Sequence, residues 1–349
     1  MDRTTLRKLA KEFNVSITTV SNAFRRPDQL SAELRGRILQ RAHSLRYYGP
    51  DPAGRLLRTG RSSLIGLGLY HDTHRTLGDP HLNDVIRGIA AVLDDHELGL
   101  VLLPRFGMRG PTHDPVPFPV DGLIIHSPYL DRDLVARLGS RRVPMLSIDA
   151  RHPHLSSVTI DDRSGAAAAA RHLIELGHRR FAILSFDLLP AHREALERGG
   201  NDELSDSSIT LRRLLGYRDA LASRGIEFDA VPIAEADEEE GAVAATARLL
   251  DSGEPPPTAL LCMSDQLALG ARRALAERGL RVPEDVSVVG FDDIPAAAAS
   301  RPALTTVRQD GFEKGRLAAE AVVKNGEPRS RELQVQLVVR SSSGPPRGP

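Results

Sequence analysis

The sequence predicts an N-terminal all-α helix-turn-helix head followed by an α/β core of two doubly wound parallel-sheet lobes. Three observations lead there. Apolar residues near the N-terminus recur at helical spacing in short segments; from residue 63 short apolar runs alternate with helical stretches; and charge is divided between the two parts. The chain of 349 residues is neutral, with 46 Lys or Arg against 46 Asp or Glu. Its first 62 residues hold 13 Lys or Arg against 5 Asp or Glu, a net of +8, so the rest carries −8. Such a split points to an anionic partner for the N-terminus, nucleic acid or a membrane surface.

In the head, Leu6, Leu9, Ala10 and Phe13 form one apolar stripe of a first helix. Asn14 can take the left-handed conformation of a tight turn, and Ser16 is placed to cap a second helix. That helix, within "VSITTVSNAF", buries Val20, Ala23 and Phe24 and turns a row of small polar side chains outward. A face built only for solvation would carry Glu and Lys, which keep helix propensity high. A third helix starts at Ser31 and buries Leu34, Ile38, Ala42 and Leu45. In a helix-turn-helix unit the second helix enters the major groove of DNA, where short side chains let the backbone approach base edges. Ile17, Thr18 and Asn22 are the candidates for base contact, Ile17 for a thymine methyl and Asn22 for an adenine edge. Thr5, Ser16, Ser21, Arg25 and Arg26 are the candidates for phosphates. The alternative is a helical bundle whose polar face is merely wet.

Residues 47 to 63, "YYGPDPAGRLLRTGRSS", read as a Pro/Gly linker or as a short helix. Asp51 and Pro52 make a good helix start, yet Gly54 costs about 1 kcal/mol, and so short a helix is unstable alone. Leucines flanked by Arg55 and Arg58 fit a wedge that a DNA minor groove would order.

The core runs "SLIGLGLY", "LGLVLLP", "DGLIIHS", "VPMLSID", "RFAILSF", "PTALLCM" and "DVSVVGF" read as strands with helical stretches between them, the pattern of parallel sheets covered on both faces. "LTTVRQD" and "LQVQLVVR" read as strands that complete or cross between halves. Two open α/β lobes leave a cleft at the carboxyl ends of their strands. Asp149, Ser264, Asp265, Asp292 and Asp293 follow strands there, and Arg213 begins the helix after a long polar insertion at residues 187 to 210. Carboxylates with an arginine suit a polar, polyhydroxylated ligand. Asp265 reads better as the N-cap of its helix.

Boundaries follow: residues 1–48 for the DNA-binding head, 49–62 for a hinge or linker, 63–340 for the core, with lobes dividing near 158–162, and a disordered polar tail at 341–349. "GLGLY" has two glycines of a dinucleotide fingerprint but opens no helix, and no P-loop, G-x-S-x-G elbow or H-E-x-x-H is present. His71, His74 and His81 lie close in sequence, and read as solvated rather than metal-binding. No catalytic residue, metal or cofactor is expected, and the protein is not read as an enzyme. Cys262 is the single cysteine, which excludes an intrachain disulfide and suits a reducing cytoplasm. The N-terminus lacks the apolar core of a signal peptide, and no run approaches the roughly 18 apolar residues of a membrane span. A soluble cytoplasmic protein without membrane partner is expected.

"LRKLAKEFNVSITTVSNAF", "LLRTGR", "DDRSGA", "HLIELGHRRFAIL", "LRRLLGYRDAL", "SDQLALGARRALAERGLRVPEDVSVVGFDD" and "LTTVRQ" together resemble, from about residue 4 to residue 340, the lactose-repressor (LacI/GalR) family of bacterial transcription regulators. The resemblance implies a DNA-reading head, a hinge helix that forms on the operator, and a periplasmic-binding-protein-like core that dimerises and binds an effector, usually a sugar. It implies that Leu57 is the hinge wedge, that Arg213 is the effector-binding arginine and that Asp292 is the effector-binding aspartate. Ser264 stands where the family usually has Asn, Asn14 replaces the usual turn glycine, and Gly49 with Gly54 makes a looser hinge than common. The expected partners are a palindromic double-stranded operator, a sugar-like effector and a second copy of the chain, with a tetramer as the further alternative. Three rival classes share parts of this pattern: a sugar-transport binding protein, an enzyme on the same core, and a membrane-surface protein.

Overall fold

A computed structural model describes residues 6–25, 27–49, 56–57, 59–108, 114–128, 130, 132–198, 208–253, 255–324 and 329–347. The chain forms two compact units, one up to Ser63 and one from Leu64 onward.

In the first unit, α1 (Leu6–Glu12), α2 (Ile17–Arg25) and α3 (Ala32–Ser44) enclose a small core of Leu9, Val20, Ala23, Ile38 and Ala42. The α1–α2 turn is made possible by Asn14, which sits at φ +51°. Ser16 Oγ accepts from the Thr19 amide at 3.0 Å, and Ser31 Oγ accepts from the Leu34 amide at 3.3 Å, so both following helices start on a hydroxyl cap. Phe24 meets Tyr47 edge to face at 5.7 Å, which fastens the chain after α3 back onto α2. Further on, Leu56, Leu57 and Thr59 have helical backbone, and the Gly60 amide donates to the Leu56 carbonyl at 2.8 Å. Asp51, Pro52, Gly54, Arg55 and Arg58 lie outside the described residues.

The second unit contains two six-stranded sheets. The first has the order β11-β5-β4-β3-β1-β2, built from β1 (Leu64–Leu69), β2 (Gly99–Leu103), β3 (Gly122–His126), β4 (Met145–Ile148), β5 (Ser157–Ile160) and β11 (Arg331–Leu333), all parallel. The second has the order β12-β10-β9-β8-β6-β7 and comprises β6 (Phe181–Ser185), β7 (Ile233–Glu235), β8 (Ala259–Cys262), β9 (Ser287–Asp292), β10 (Thr305–Arg308) and β12 (Gln336–Val338); only β12 runs antiparallel to its neighbour. The interior strands are nearly all buried along their length, which is why they read as unbroken apolar runs. The helices over these sheets include α4 (Thr73–Gly78), α5 (Pro80–Asp95), α6 (Arg132–Gly139), α7 (Asp162–Glu175), α8 (Pro190–Glu197), α9 (Ile209–Ala222), α10 (Glu239–Leu250), α11 (Asp265–Glu277), α12 (Pro295–Ala299) and α13 (Gly311–Val323).

The chain passes between the lobes three times: from β5 into α7, from β10 into α13, and from β11 to β12. Helix α13 packs along α5 so closely that a Cβ on Gly88 would lie 1.9 Å from the Phe312 carbonyl oxygen, and one on Gly315 would lie 2.0 Å from that of Val85. Only glycine at both places lets the two backbones meet.

The tail departs from the expected disorder. Ser342 is fully buried; its Oγ accepts from the Thr305 amide at 2.8 Å and donates to the Val288 carbonyl at 2.6 Å, while its own carbonyl accepts from the Val288 amide at 2.8 Å. The Gly344 carbonyl accepts from Ser287 Oγ at 3.0 Å. A composition rich in Ser, Gly and Pro buries little apolar surface, but here its polar groups satisfy backbone positions of β9 and β10. Ser342→Ala is expected to cost about 1–3 kcal/mol, because two buried backbone groups lose their partner. Urea unfolding of the variant checks this; an unchanged midpoint would mean that the tail detaches freely.

Candidate functional site

The head presents the first turn of α2. Ser16, Ile17 and Thr18 are exposed, with Ile17 at 44 % despite its apolar side chain, while Ser21 and Asn22 are half-buried. Asn22 Nδ2 donates to Gln29 Oε1 at 2.8 Å, so contact with a base would exchange that bond. Ser16 Oγ is shared between its cap and Thr19 Oγ1 at 2.8 Å. Leu57 is 89 % exposed. Arg25 lies in the last turn of α2, Thr5 and Arg26 lie outside the described residues, and nothing is described of the Arg25 side chain.

In the second unit a cavity of about 310 Å³ opens between the lobes, and Asp149, Arg213, Ser264 and Asp292 all line it. Two of these end strands in an unusual backbone conformation: Asp149 follows β4 with φ +72°, and Asp292 closes β9 with φ +115°. Left-handed geometry at a residue with a side chain costs of order 1–3 kcal/mol and gathers at binding sites. Asp149 receives Lys314 Nζ on Oδ1 and has His126 Nε2 at 3.2 Å from Oδ2. Burial alone would raise its carboxyl, but Lys314 and His126 outweigh burial and hold it well below the usual carboxylate range.

Arg213 lies in the second turn of α9 rather than at its beginning, since the helix already starts at Ile209 on a Ser208 cap. Its Nε donates to Asp162 Oδ1 at 2.9 Å, another nitrogen donates to the Met263 carbonyl, and its guanidinium stacks 3.6 Å from the Phe291 ring centre. Asp292 Oδ1 is 4.0 Å away. Burial pushes the Asp292 carboxyl well up; Arg213 opposes this, and Asp265 and Asp79 reinforce it. Neighbouring Arg212 donates to Asp162 Oδ2 at 2.8 Å and to the Asp149 carbonyl at 2.7 Å. One carboxylate, Asp162, thus holds two arginines, and one of these, Arg212, ties the second lobe to the Asp149 carbonyl of the first.

The N-cap expected at Asp265 belongs to Ser264, whose Oγ accepts from the Leu267 amide at 3.2 Å. Asp265 is instead buried behind it, accepting from Thr306 Oγ1 at 2.5 Å and the Ile294 amide at 2.9 Å. Its carboxyl is pushed up to about 7, burial outweighing those bonds. The histidines expected to be solvated divide: His74 is exposed, but His71 and His81 are half-buried in the cleft lining. Burial and then Arg75 push His71 down to about 4, and burial with nearby Lys314 holds His81 well below its ordinary value, so both rings are neutral. Among the described residues no group of three metal-ligating side chains is gathered. Contacts that span the cleft include Arg75 of α4 with Asp237, the Gln266 Nε2 donation to the Gly78 carbonyl at 3.2 Å and the Ile209 amide donation to the Pro128 carbonyl at 3.0 Å. The sequence reading missed Asp162, Arg212, Lys314, His126 and His192. Of these Asp162, inside the quoted "DDRSGA", and Arg212, inside "LRRLLGYRDAL", lay in motifs marked as informative.

The core also matches the family model of a periplasmic binding protein-like domain over residues 170–343. A lac repressor dimer bound to operator and the anti-inducer ONPF is similar in structure, with a TM-score of 0.77 at 27 % identity over 98 % of this chain and 100 % of that one. An HTH-type transcriptional regulator of Mycobacterium tuberculosis is 34 % identical over 99 % of this chain and 98 % of its own length. The chain belongs to the lactose-repressor (LacI/GalR) family of transcriptional regulators. Another LacI/GalR-like structure, the transcriptional regulator CelR in complex with cellobiose, has a TM-score of 0.65 at 28 % identity, covering 97 % of this chain and 100 % of that one. The LacI/GalR relatives are transcriptional regulators, not enzymes. Among the described residues no helix is long and apolar enough to cross a membrane.

Proposed function

We propose that the protein is a cytoplasmic repressor that binds a palindromic operator as a homodimer, and that a small polar effector in the cleft, a sugar or related metabolite, controls it. The observation that carries this reading is the pairing, in one chain, of an outward-facing α2 on a cationic head with a two-lobed cleft into which Asp149, Arg213 and Asp292 converge. The relatives support it: one similar structure is a repressor dimer on its operator, and another holds cellobiose. Ile17, Thr18 and Asn22 read base edges, Ser16, Ser21, Arg25, Arg26 and Thr5 hold phosphates, and Leu57 wedges the minor groove. Phosphate contacts supply most of the affinity, with strong salt dependence. Effector favours one arrangement of the lobes, and that preference sets the coupling to DNA, typically about 1–3 kcal/mol. The cleft binds its effector without turnover.

Selection of genomic DNA on the purified protein tests this reading. A shared palindrome among the retained fragments is expected; equal retention of all sequences across a range of salt would sink it. Asn22→Ala is expected to relax preference at one position of each half-site by about 1–3 kcal/mol. Uniform weakening across all sequences would instead place Asn22 on a phosphate.

A further inference from the structure

Six carboxyl groups line the cleft, against two arginines among the described residues. Both arginines are already ion-paired, Arg75 with Asp237 and Arg213 with Asp162. Lys314, just behind the lining, is committed to Asp149. Asp187 and Glu238 are exposed at the rim, and burial together with neighbouring Asp237 and Glu235 raises the Asp187 carboxyl. An entering anion therefore finds carboxylates and, in the described lining, no arginine whose charge is not already shared with one, so it loses hydration without a full counter-charge.

The same lining leaves polar atoms waiting. Thr76 Oγ1, His81 Nε2, His192 Nε2 and Gln309 Oε1 are all buried without a hydrogen-bond partner. Buried polar groups are rarely left so, and each unsatisfied one asks for a ligand or a water. The roles of three of them can be assigned. His192 Nδ1 accepts from the Leu189 amide at 3.3 Å, and burial lowers the ring's affinity for a second proton, so the proton sits on Nε2, which is a donor. Gln309 Nε2 already donates to Asp292 Oδ1, which leaves Oε1 as an acceptor. The Thr76 hydroxyl does either. Donors and acceptors interleaved around one cavity match hydroxyl groups, which both give and take a hydrogen bond. A phosphate or carboxylate only accepts, and would set its oxygens against Gln309 Oε1 and the carboxylates.

We propose that the effector is an uncharged polyhydroxylated molecule whose hydroxyls are read by Thr76, His81, His192 and Gln309, and that the carboxylate lining rejects its phosphorylated or carboxylated counterparts. This rests on the cleft being the effector site. The test is calorimetry and thermal shift on the full chain with a library of monosaccharides, disaccharides, polyols and nucleosides, each beside its phosphate or its sugar-acid counterpart. At least one uncharged member is expected to bind, with its anionic counterpart weaker by about 30-fold or more. The double variant Asp187→Asn, Glu238→Gln is expected to narrow that ratio several-fold. Equal or tighter binding of an anionic counterpart overturns the proposal while leaving the receptor reading intact, and a ratio unmoved by the double variant overturns the role given to the carboxylates. Binding by neither class removes the receptor reading and this proposal together.

Discussion

Replacing Lys314 with methionine is expected to destabilise the protein by about 3–5 kcal/mol at pH 7, because it strands a buried charge. Lys314 is 1 % exposed, and its ammonium group sits on Asp149, itself 4 % exposed. Methionine fills much the same volume, so the loss is electrostatic rather than a cavity. In the parent the Asp149 carboxyl lies below its ordinary 3.8; its stabilising contribution is complete above that value and disappears as the pH falls through the lower folded value. In the variant burial is opposed mainly by His126, the carboxyl moves up, and stability falls as the pH rises toward 7. The deficit against the parent should therefore shrink between pH 7 and pH 5 in urea titrations. A deficit of the same size at both values would show that the ion pair is not its source.

Arg213→Ala is expected to abolish the response to effector while DNA binding persists. Each charge-assisted hydrogen bond that the guanidinium gives a ligand is worth about 1.5–3 kcal/mol, so losing two weakens effector binding by about 100-fold or more. The substitution also takes from Asp292 its nearest cation and exposes the face of Phe291. Asp162 keeps Arg212, which limits the damage to the fold. Operator binding titrated with and without effector separates the outcomes: retained operator affinity with a lost response is expected, and a normal response would remove Arg213 from the ligand's contacts.

Much of the fold was legible because parallel strands buried on both faces leave continuous apolar runs, as "GLIIH" in β3 and "FAILS" in β6 do. The stripe of α2 was legible for the matching reason that a three-helix head must bury one face of each helix. Strands of three residues such as β7 are too short to show a period. In the cleft, a strand's carboxyl end points at the opening whatever its neighbours are, so Asp149 and Asp292 could be found by position. Lys314 could not. Within "GFEKGRLAAE" it reads as one more charge on a solvated helix face, and only the passage of α13 back across the first lobe buries it. His81, His126 and His192 are brought together from α5, β3 and α8, and no local spacing encodes that meeting. Ser264 and Asp265 show a smaller limit: either can cap a helix, and the choice is made by Thr306 and the Ile294 amide, which claim the carboxylate.

The return of α13 and β11 to the first lobe also orders events on the ribosome. Ile65, Val85 and Ile89 emerge early, but the surface that covers them includes Ala318, Ala319 and Val322, which are translated after all of the second lobe except β12 and the tail that follows it. The half of the receptor that is made first therefore stays unfinished until most of the second has been made. A nascent chain that stalls anywhere before residue 323 carries an uncovered apolar face, and falls to chaperones and proteases rather than accumulating as a partial regulator.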